Sequence, residues 1–304
     1  LHTQKYIQIQ ISKINVKHKP YPNDSNIISI STIPTSIRNY IQNTTPTNIY
    51  KIHAHFKQFS NWEGINIYIT QFDLINQTEY LDNIGKFLIW ILFILKNRNN
   101  THLNYKCITK YPLNIFIYLT PFIKKLPITR DSIIDASHVN TAFTTNCSHN
   151  PTILIFRKEE WFKVLIHESM HTFGLDFSHE IPDKNIQQDI RKMFPHITLT
   201  YTVLLFESYT EFWARIVYIL FKQINNTNKQ FNHTLFMKHV KELGLHAKQC
   251  MQKIIMHFNV NNNDIINFKE DTNVFAYYFI TGLMLQSWEQ IIQIFARHNL
   301  PFII

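Results

Sequence analysis

His167, Glu168 and His171 are the residues whose types and spacing are best suited to chemistry. On a helix, two imidazoles four residues apart project from the same face and can bind one Zn²⁺ ion. The carboxylate beside the first imidazole is then near enough to take a proton from metal-bound water. The spacing therefore predicts a metal site that activates water. Paired histidines on a helix can also form a solvated face, and the neighbouring residues bear on this alternative.

The flanking sequence predicts the helix that this motif needs. Two acids in the stretch 157–160 suit the positive end of a helix, and Gly174 is a favourable residue for ending one. One side of this helix is apolar and carries Phe162, Ile166, Met170 and Phe173. The opposite side carries Glu160, Val164, His167 and His171, with Glu168 at its margin. Because Val164 and Leu165 frame the imidazoles, the pattern favours a metal site over a solvated face.

A catalytic zinc site usually has a third protein ligand and one position left for water. The metzincin pattern His-Glu-x-x-His-x-x-Gly-x-x-His is followed here as far as Gly174, but Phe177 stands where its last His should be. Phe cannot bind a metal, so this pattern is disfavoured. Asp176 and Glu180 have the wrong spacing, and His179 is kept only as a reserve ligand.

Glu207 and Glu211 interrupt an apolar stripe on a second predicted helix over residues 201–216. The stripe consists of Val203, Leu204, Glu207, Glu211, Ala214 and Tyr218. Burying an ionised carboxylate is costly unless a cation or hydrogen-bond donors compensate it. A zinc ion would compensate one of the two carboxylates, and a zinc-binding imidazole would compensate the other. The alternative for Glu211 is a partly wet ion pair with Arg215, worth roughly a few tenths of a kcal/mol, which leaves Glu207 unexplained.

These residues together resemble the gluzincins, the thermolysin-like branch of zinc metallopeptidases. In that branch, His-Glu-x-x-His is followed by a second helix with Glu-x-x-x-Asp or Glu-x-x-x-Glu. The resemblance implies that His167, His171 and Glu207 bind Zn²⁺ and that Glu168 is the catalytic base. It also implies that Glu211 supports a zinc-binding imidazole.

The chain departs from the thermolysin-like pattern at two points. The supporting acid is Glu211 where those enzymes have Asp, and the separation between His171 and Glu207 is wider. A short helix predicted from Pro182 to Met193 would take up the extra length.

A second resemblance lies upstream, in Asn140-Thr141-Ala142-Phe143. It is similar to the Asn-x-Ala-Phe edge strand with which thermolysin-like enzymes hold the main chain of their substrate. A turn is expected over 147–151 and a further strand over 152–156. The resemblance implies that Thr141, Ala142 and Phe143 bind an extended polypeptide substrate, since an edge strand offers unpaired N–H and C=O groups.

Composition excludes some classes of protein. With 304 residues, 45% of them hydrophobic, the chain can bury a substantial core and is not disordered. The most apolar run, Phe87–Leu95, is far short of the ~20 residues that a membrane span needs and predicts a buried helix. The net charge of +9 comes from scattered Lys and Arg residues without a nucleic-acid-binding motif. Nucleic-acid association therefore remains only an alternative.

Cys107, Cys147 and Cys250 form neither a Cys-x-x-Cys pair nor an even disulfide framework. The chain also opens without a secretory signal pattern. Both observations predict a cytoplasmic or virion-associated protein in a reducing compartment. The Ile-, Asn- and Lys-rich composition is similar to that of uncharacterised zincin-like proteins of large DNA viruses. Coding bias in an AT-rich genome would give the same composition.

The periodicities predict an α+β protein of the zincin-like type, with a small mixed sheet and a mainly helical C-terminal half. Strands are expected near 6–16, 51–56, 64–70, 113–119, 141–145 and 152–156, and helices near 77–97, 202–224, 232–257 and 273–297. Residues 1–50 are expected to be an extension or arm. Residues 51–304 are expected to be the catalytic domain, divided into 51–180 with the sheet and metal helix and 181–304 with the helices.

The sequence thus predicts a zinc-dependent metallopeptidase. Two alternatives stay open: a catalytically silent structural or virion-associated protein with the same fold, and a basic nucleic-acid-associated protein in which the motif is incidental.

Overall fold

The computed structural model describes residues 5–22, 29–59, 61–73, 77–97, 111–146, 148, 150–224, 231–259 and 265–297. The chain forms two compact units. Unit 1 comprises residues 1–123 and 141–175, and unit 2 comprises residues 124–140 and 176–304. The predicted boundary after residue 180 is close to the break at 175, but residues 124–140 belong with the second unit.

Strands and helices alternate in the first half of the chain, and helices dominate the second. The strands are β1 (Ile7–Ile14), β2 (Asn48–Phe56), β3 (Ile65–Gln71), β4 (Leu113–Leu119), β5 (Ile134–Asp135), β6 (Ala142–Thr144), β7 (Thr152–Ile155), β8 (Ile197–Thr198), β9 (Ile266–Asn267) and β10 (Glu270–Asp271). The helices are α1 (Thr35–Asn43), α2 (Gln77–Asn97), α3 (Ala136–Val139), α4 (Trp161–Thr172), α5 (Lys184–Met193), α6 (Leu205–Ile224), α7 (His233–Phe258), α8 (Thr281–Gln286) and α9 (Trp288–Arg297). A short 3₁₀ helix covers Ile30–Thr32, and a π-helical segment covers Phe275–Ile280.

Unit 1 is built on a six-stranded mixed sheet in the order β1-β2-β3-β4-β7-β6. The central pairs β3 with β4 and β4 with β7 are parallel, whereas the outer pairs are antiparallel. Every residue of β7 and all but one of β4 are buried, as expected for parallel strands inside a sheet. All six strand predictions are confirmed, and the mixed sheet with its helices agrees with the predicted α+β class.

Gly64 fixes the close approach of the chain at the start of β3. Its φ angle is +88°, and a Cβ atom there would lie 2.2 Å from the carbonyl oxygen of Ala54. Only glycine tolerates both conditions. The residue therefore lets β3 pair closely with β2.

Residues 1–50, predicted to be an extension or arm, contribute two packed elements to unit 1. β1 pairs along its whole length with β2. Ile33, Ile37 and Ile41, which precede and line α1, are at most 2% exposed and pack in one apolar cluster with Phe116, Tyr118, Leu154 and Phe156. The i, i+4 spacing of these isoleucines places them on one face of a helix, and this face packs the stretch against the rest of unit 1. The Pro and Asn content of the stretch had predicted a loosely packed arm.

Unit 2 is mainly helical, with two small parallel sheets, β5 with β10 and β8 with β9. Its apolar cluster is centred on Phe268, Phe275 and Phe279, and the rings of Phe275 and Phe279 stack with centroids 4.6 Å apart. α6 packs against α7, α8 and the π-helical segment. The core of this unit thus holds the first turns of α6 against a segment distant in sequence.

The helix predictions for α2, α5, α6 and α7 are confirmed, each with small differences at the ends. The prediction of one helix over 273–297 was wrong in detail. That stretch is π-helical over Phe275–Ile280 and breaks at Ser287 between α8 and α9. Among the residues that the structure describes, no helix is both long and apolar enough to cross a membrane.

Candidate metal centre

The helix that carries the paired histidines is α4, which begins at Trp161, just after the predicted start over 157–160, and whose predicted end at Gly174 is confirmed. Glu160, just before the helix, has a φ angle of +56°, and Gly174, just after it, has a φ angle of +62°. The N–H of Gly174 donates to the carbonyl oxygen of His171 at 3.1 Å, and the N–H of Leu175 donates to that of Met170 at 2.9 Å. Such a left-handed glycine ends a helix at low cost. His171 consequently lies in the last turn.

All twelve residues of α4 are buried. His167 and His171 are each only 5% exposed. A solvated helix face, the alternative interpretation of this motif, is therefore excluded. Buried polar groups of this kind are compensated by hydrogen bonds or by a cation.

The two imidazoles converge through their Nε2 atoms, which are 3.1 Å apart. The ring planes meet at 75°, with centroids 4.8 Å apart. Two nitrogen ligands on a tetrahedral Zn²⁺ ion, at bond lengths of about 2.0–2.1 Å, are separated by about 3.3 Å. The observed spacing is close to that value. The spacing is therefore compatible with two ligands of one ion, and it is also the length of a hydrogen bond between the two rings.

Side-chain hydrogen bonds fix α4 within unit 1. The Trp90 Nε1–H donates to Ser169 Oγ at 3.0 Å, and that hydroxyl donates to the Ile166 carbonyl oxygen at 2.7 Å. One turn later, Thr172 Oγ1 donates to the Glu168 carbonyl oxygen at 2.8 Å. The bond from Trp90 joins α4 to α2, and the other two lie within α4.

Glu168, the predicted base, follows His167 directly and is 9% exposed. The low exposure leaves its carboxylate little contact with bulk water.

Glu207, the predicted third ligand, lies in the first turn of α6. A negative side chain is favoured at this positive end of a helix. The Asn273 Nδ2–H donates to Glu207 Oε1 at 3.1 Å. The residue as a whole keeps some exposure, whereas its second carboxylate oxygen, Oε2, is buried.

The first turn of α6 is tied to the π-helical segment by hydroxyl groups. Ser208 Oγ donates to the Ala276 carbonyl oxygen at 3.1 Å, and Thr281 Oγ1 lies 3.2 Å from the Ser208 carbonyl oxygen. Thr281 Oγ1 also lies 3.0 Å from the carbonyl oxygen of Ala276. Ser208, the residue after Glu207, is thereby held by residues about seventy positions further along the chain.

His167, His171 and Glu207 together form a group that could hold a metal ion. One ligand atom from each, an imidazole nitrogen or a carboxylate oxygen, lies within 4.8 Å of the other two. It is the one such group of three or more His, Cys, Asp or Glu side chains found among the described residues. The three predicted ligands are thus the three that the structure groups, and the reserve ligand His179 is not among them.

Glu211 forms an ion pair with Arg215, with Oε1 and Nε 2.8 Å apart. This is the interaction that the sequence offered as an alternative, but it is not at a wet edge: the side chains of Arg215 and Glu211 are only 4% and 6% exposed. The predicted contact between Glu211 and a zinc-binding imidazole stays a prediction.

The predicted substrate strand is β6, at the edge of the six-stranded sheet. It pairs with β7 on one side, and no strand in the described part of the chain pairs with its other side. Thr141 precedes the strand, and its carbonyl oxygen accepts from the Phe156 N–H at 2.9 Å. Thr144 Oγ1 is 2.8 Å from Thr172 Oγ1 of α4. The strand therefore contacts the helix that carries the imidazoles.

Asn273 is the residue at this site that the sequence did not predict. It lies 66 positions from the carboxylate it contacts, and no periodicity links the two. Cys147, considered from the sequence as a reactive thiol near the site, lies outside the described residues. Cys250 forms no disulfide bond within the described part of the chain, and its Sγ atom lies 3.8 Å from Nε2 of His246 on α7.

Comparison of the chain with protein-family models, with curated proteins and with solved structures finds no match.

Proposed function

We propose that this protein is a zinc-dependent metallopeptidase, in which His167, His171 and Glu207 bind the metal and Glu168 is the catalytic base. The observation that carries the proposal is the buried pair of imidazoles, with Nε2 atoms 3.1 Å apart, grouped with a carboxylate. Two imidazoles and one carboxylate are a donor set that Zn²⁺ takes in catalytic sites, with one position left for water.

The resemblance of the motif to the gluzincins supports the same assignment. A Zn²⁺ ion bound by these residues would polarise a peptide carbonyl and lower the pKa of water toward neutrality. His167 and His171 bind in their neutral form, so acid is expected to release the metal. Glu168 takes the proton of the attacking water and delivers it to the leaving amine.

β6 offers a place for the substrate main chain. An extended peptide added beside Ala142 and Phe143 would receive backbone hydrogen bonds without its side chains being read. Such binding would favour unfolded or extended polypeptides over small amides. The strand contacts α4 through Thr144, which supports placing the peptide beside the helix that carries Glu168.

The deciding experiment compares the wild type with Glu168→Gln and His171→Ala, and measures both bound zinc and cleavage of a denatured protein mixture. We expect one zinc per wild-type chain. Glu168→Gln should keep the metal and lose cleavage by about 10²-fold or more, because the proton acceptor is gone. His171→Ala should lose both.

The matched controls are exposed residues of the same types, Glu180→Gln and His233→Ala, which should behave as the wild type. Equal cleavage by wild type and Glu168→Gln, or none by either, removes the catalytic assignment. Stoichiometric zinc in His171→Ala removes the ligand assignment.

A further inference from the structure

The carboxylate of Glu207 is held by a neutral amide. Asn273 Nδ2 donates to Oε1 at 3.1 Å, and both residues belong to unit 2. A carboxylate that binds a metal through one oxygen needs its other oxygen fixed, because free rotation would present the ligand in many orientations. A partner that fixes a metal ligand in this way typically changes metal affinity 10- to 100-fold.

Asn273 is itself held from both sides. The side chain of its neighbour Thr272 donates from Oγ1 to Asn140 Oδ1 at 2.9 Å. Glu270 accepts the Phe275 N–H through Oε2 at 3.2 Å. The Asn273 carbonyl oxygen accepts the Tyr277 N–H at 2.9 Å, in the first turn of the π-helical segment. An amide on a backbone fixed at these points has few orientations open to it.

The same segment also fixes the backbone beside Glu207. Ser208 donates to Ala276 of the π-helical turn, three residues after Asn273. The side chain of the proposed ligand and the residue next to it in sequence are therefore both held by residues 273–276. π-helical turns are rare and often lie at functional sites.

We propose that Asn273 is a positioning residue for the metal, which orients the Glu207 carboxylate so that one oxygen faces the ion. The inference rests on the proposed function, since it assumes that Glu207 is a ligand. It adds to that function a residue which neither the motif nor the resemblance assigns.

The test is a double-mutant cycle in zinc affinity, measured by competition with a chromophoric chelator on the full chain. The proteins are the wild type, Asn273→Leu, Glu207→Ala and the double variant. Leu keeps the branch of Asn at Cγ but is larger and has neither a donor nor an acceptor, so the comparison with the double variant separates loss of the amide from a change in packing. We expect Asn273→Leu to weaken zinc binding about 10- to 100-fold, Glu207→Ala to weaken it more, and the double variant to equal Glu207→Ala.

Two further measurements separate positioning from folding. Asn232→Leu removes another structural asparagine of the same unit, whose side chain caps α7, and should leave zinc affinity unchanged. In the Co²⁺-loaded proteins, Asn273→Leu should shift the visible absorption bands, which report ligand geometry, whereas Asn232→Leu should not.

Each outcome decides the inference. Unchanged zinc affinity in Asn273→Leu, with Glu207→Ala weakened, overturns the role of Asn273 and leaves the metal site standing. An equal loss from Asn273→Leu with and without Glu207 also overturns it, because the residue would then act through the fold. Absence of zinc from the wild type would overturn the proposed function and this inference with it.

Discussion

The two regions that supply the proposed ligands are encoded in different ways. In α4, both imidazoles come from one helix, and their four-residue spacing alone brings the Nε2 atoms to 3.1 Å. In the first turn of α6, Glu207 is located by Asn273 and by the turn that contains Ala276. The first arrangement is local and the second depends on distant contacts. The position of the imidazole pair therefore follows from one helix, whereas the position of Glu207 depends on contacts between elements.

The largest effect on stability is expected from Glu211→Gln in α6. The substitution leaves the Arg215 guanidinium, only 4% exposed, without its ionised partner. Breaking a buried ion pair by removing one member costs about 3–5 kcal/mol. Urea unfolding of the wild type and the variant measures the difference.

The exposed pair Lys192 and Asp189 is the matched control, since its charged atoms are 2.9 Å apart but its side chains are 75% and 67% exposed. Asp189→Asn should change the free energy of unfolding by less than about 0.5 kcal/mol. A similar small loss in Glu211→Gln would show that the buried pair contributes no more than a surface pair.

Glu270 adds a pH dependence to the support of Asn273. Burial raises the pKa of its carboxyl group to about 7 from 4.5, against the effect of hydrogen bonds from Tyr201 and from the backbone of Phe275 and Val274. The folded state then binds more protons than the unfolded state between these values. The free energy of unfolding therefore falls as pH rises from about 4.5 to 7, by at most about 3 kcal/mol from this group.

Glu270→Gln keeps an oxygen to accept the Phe275 N–H but cannot ionise. Its free energy of unfolding should lack this fall. The stability of the variant relative to the wild type should therefore increase as pH rises toward 7.5. Glu242→Gln, an exposed position on α7, should follow the wild type throughout. The measurement is urea unfolding at several pH values. If the free energy of unfolding of Glu270→Gln and of the wild type changed in parallel with pH, the raised pKa of Glu270 would be contradicted.

Much of the fold could be predicted because its patterns are local. The six main strands, and α2 with its apolar centre, follow from runs and alternations within a dozen or so residues. α1 was missed because Pro and Asn around it suggested a loop, while its Ile37 and Ile41 supplied too short a periodic signal. The π-helical segment has no comparable local pattern, and its hydrogen bond from Ser208 to Ala276 joins residues 68 positions apart.

The same distinction applies to the site. His167, Glu168 and His171 are a contiguous motif, and Glu207 stood out because it interrupts an apolar stripe. Glu211 stood out for the same reason, but the stripe could not show whether Arg215 was buried with it. Asn273 gave no signal at all, because a lone amide at the start of a helix is common and its partner lies in another element.

The smallest effects are expected from two serine substitutions, Ser169→Ala in α4 and Ser208→Ala in α6, which compare how firmly the two helices are held. Ser169 is fully buried and accepts the Trp90 Nε1–H from α2 at 3.0 Å. Its loss leaves that indole without this acceptor, at a cost of about 1–2 kcal/mol. Ser208→Ala in α6 is the counterpart, because Ser208 is 1% exposed and donates to Ala276. There the carbonyl oxygen keeps Thr281 Oγ1 at 3.0 Å, so the cost should be smaller, under about 1 kcal/mol. A larger loss of unfolding free energy from Ser208→Ala than from Ser169→Ala would contradict this order. It would mean that the Ser208 hydroxyl holds the first turn of α6 more strongly than the Trp90 indole holds α4. The two regions would then differ in how firmly they are held as well as in how they are encoded.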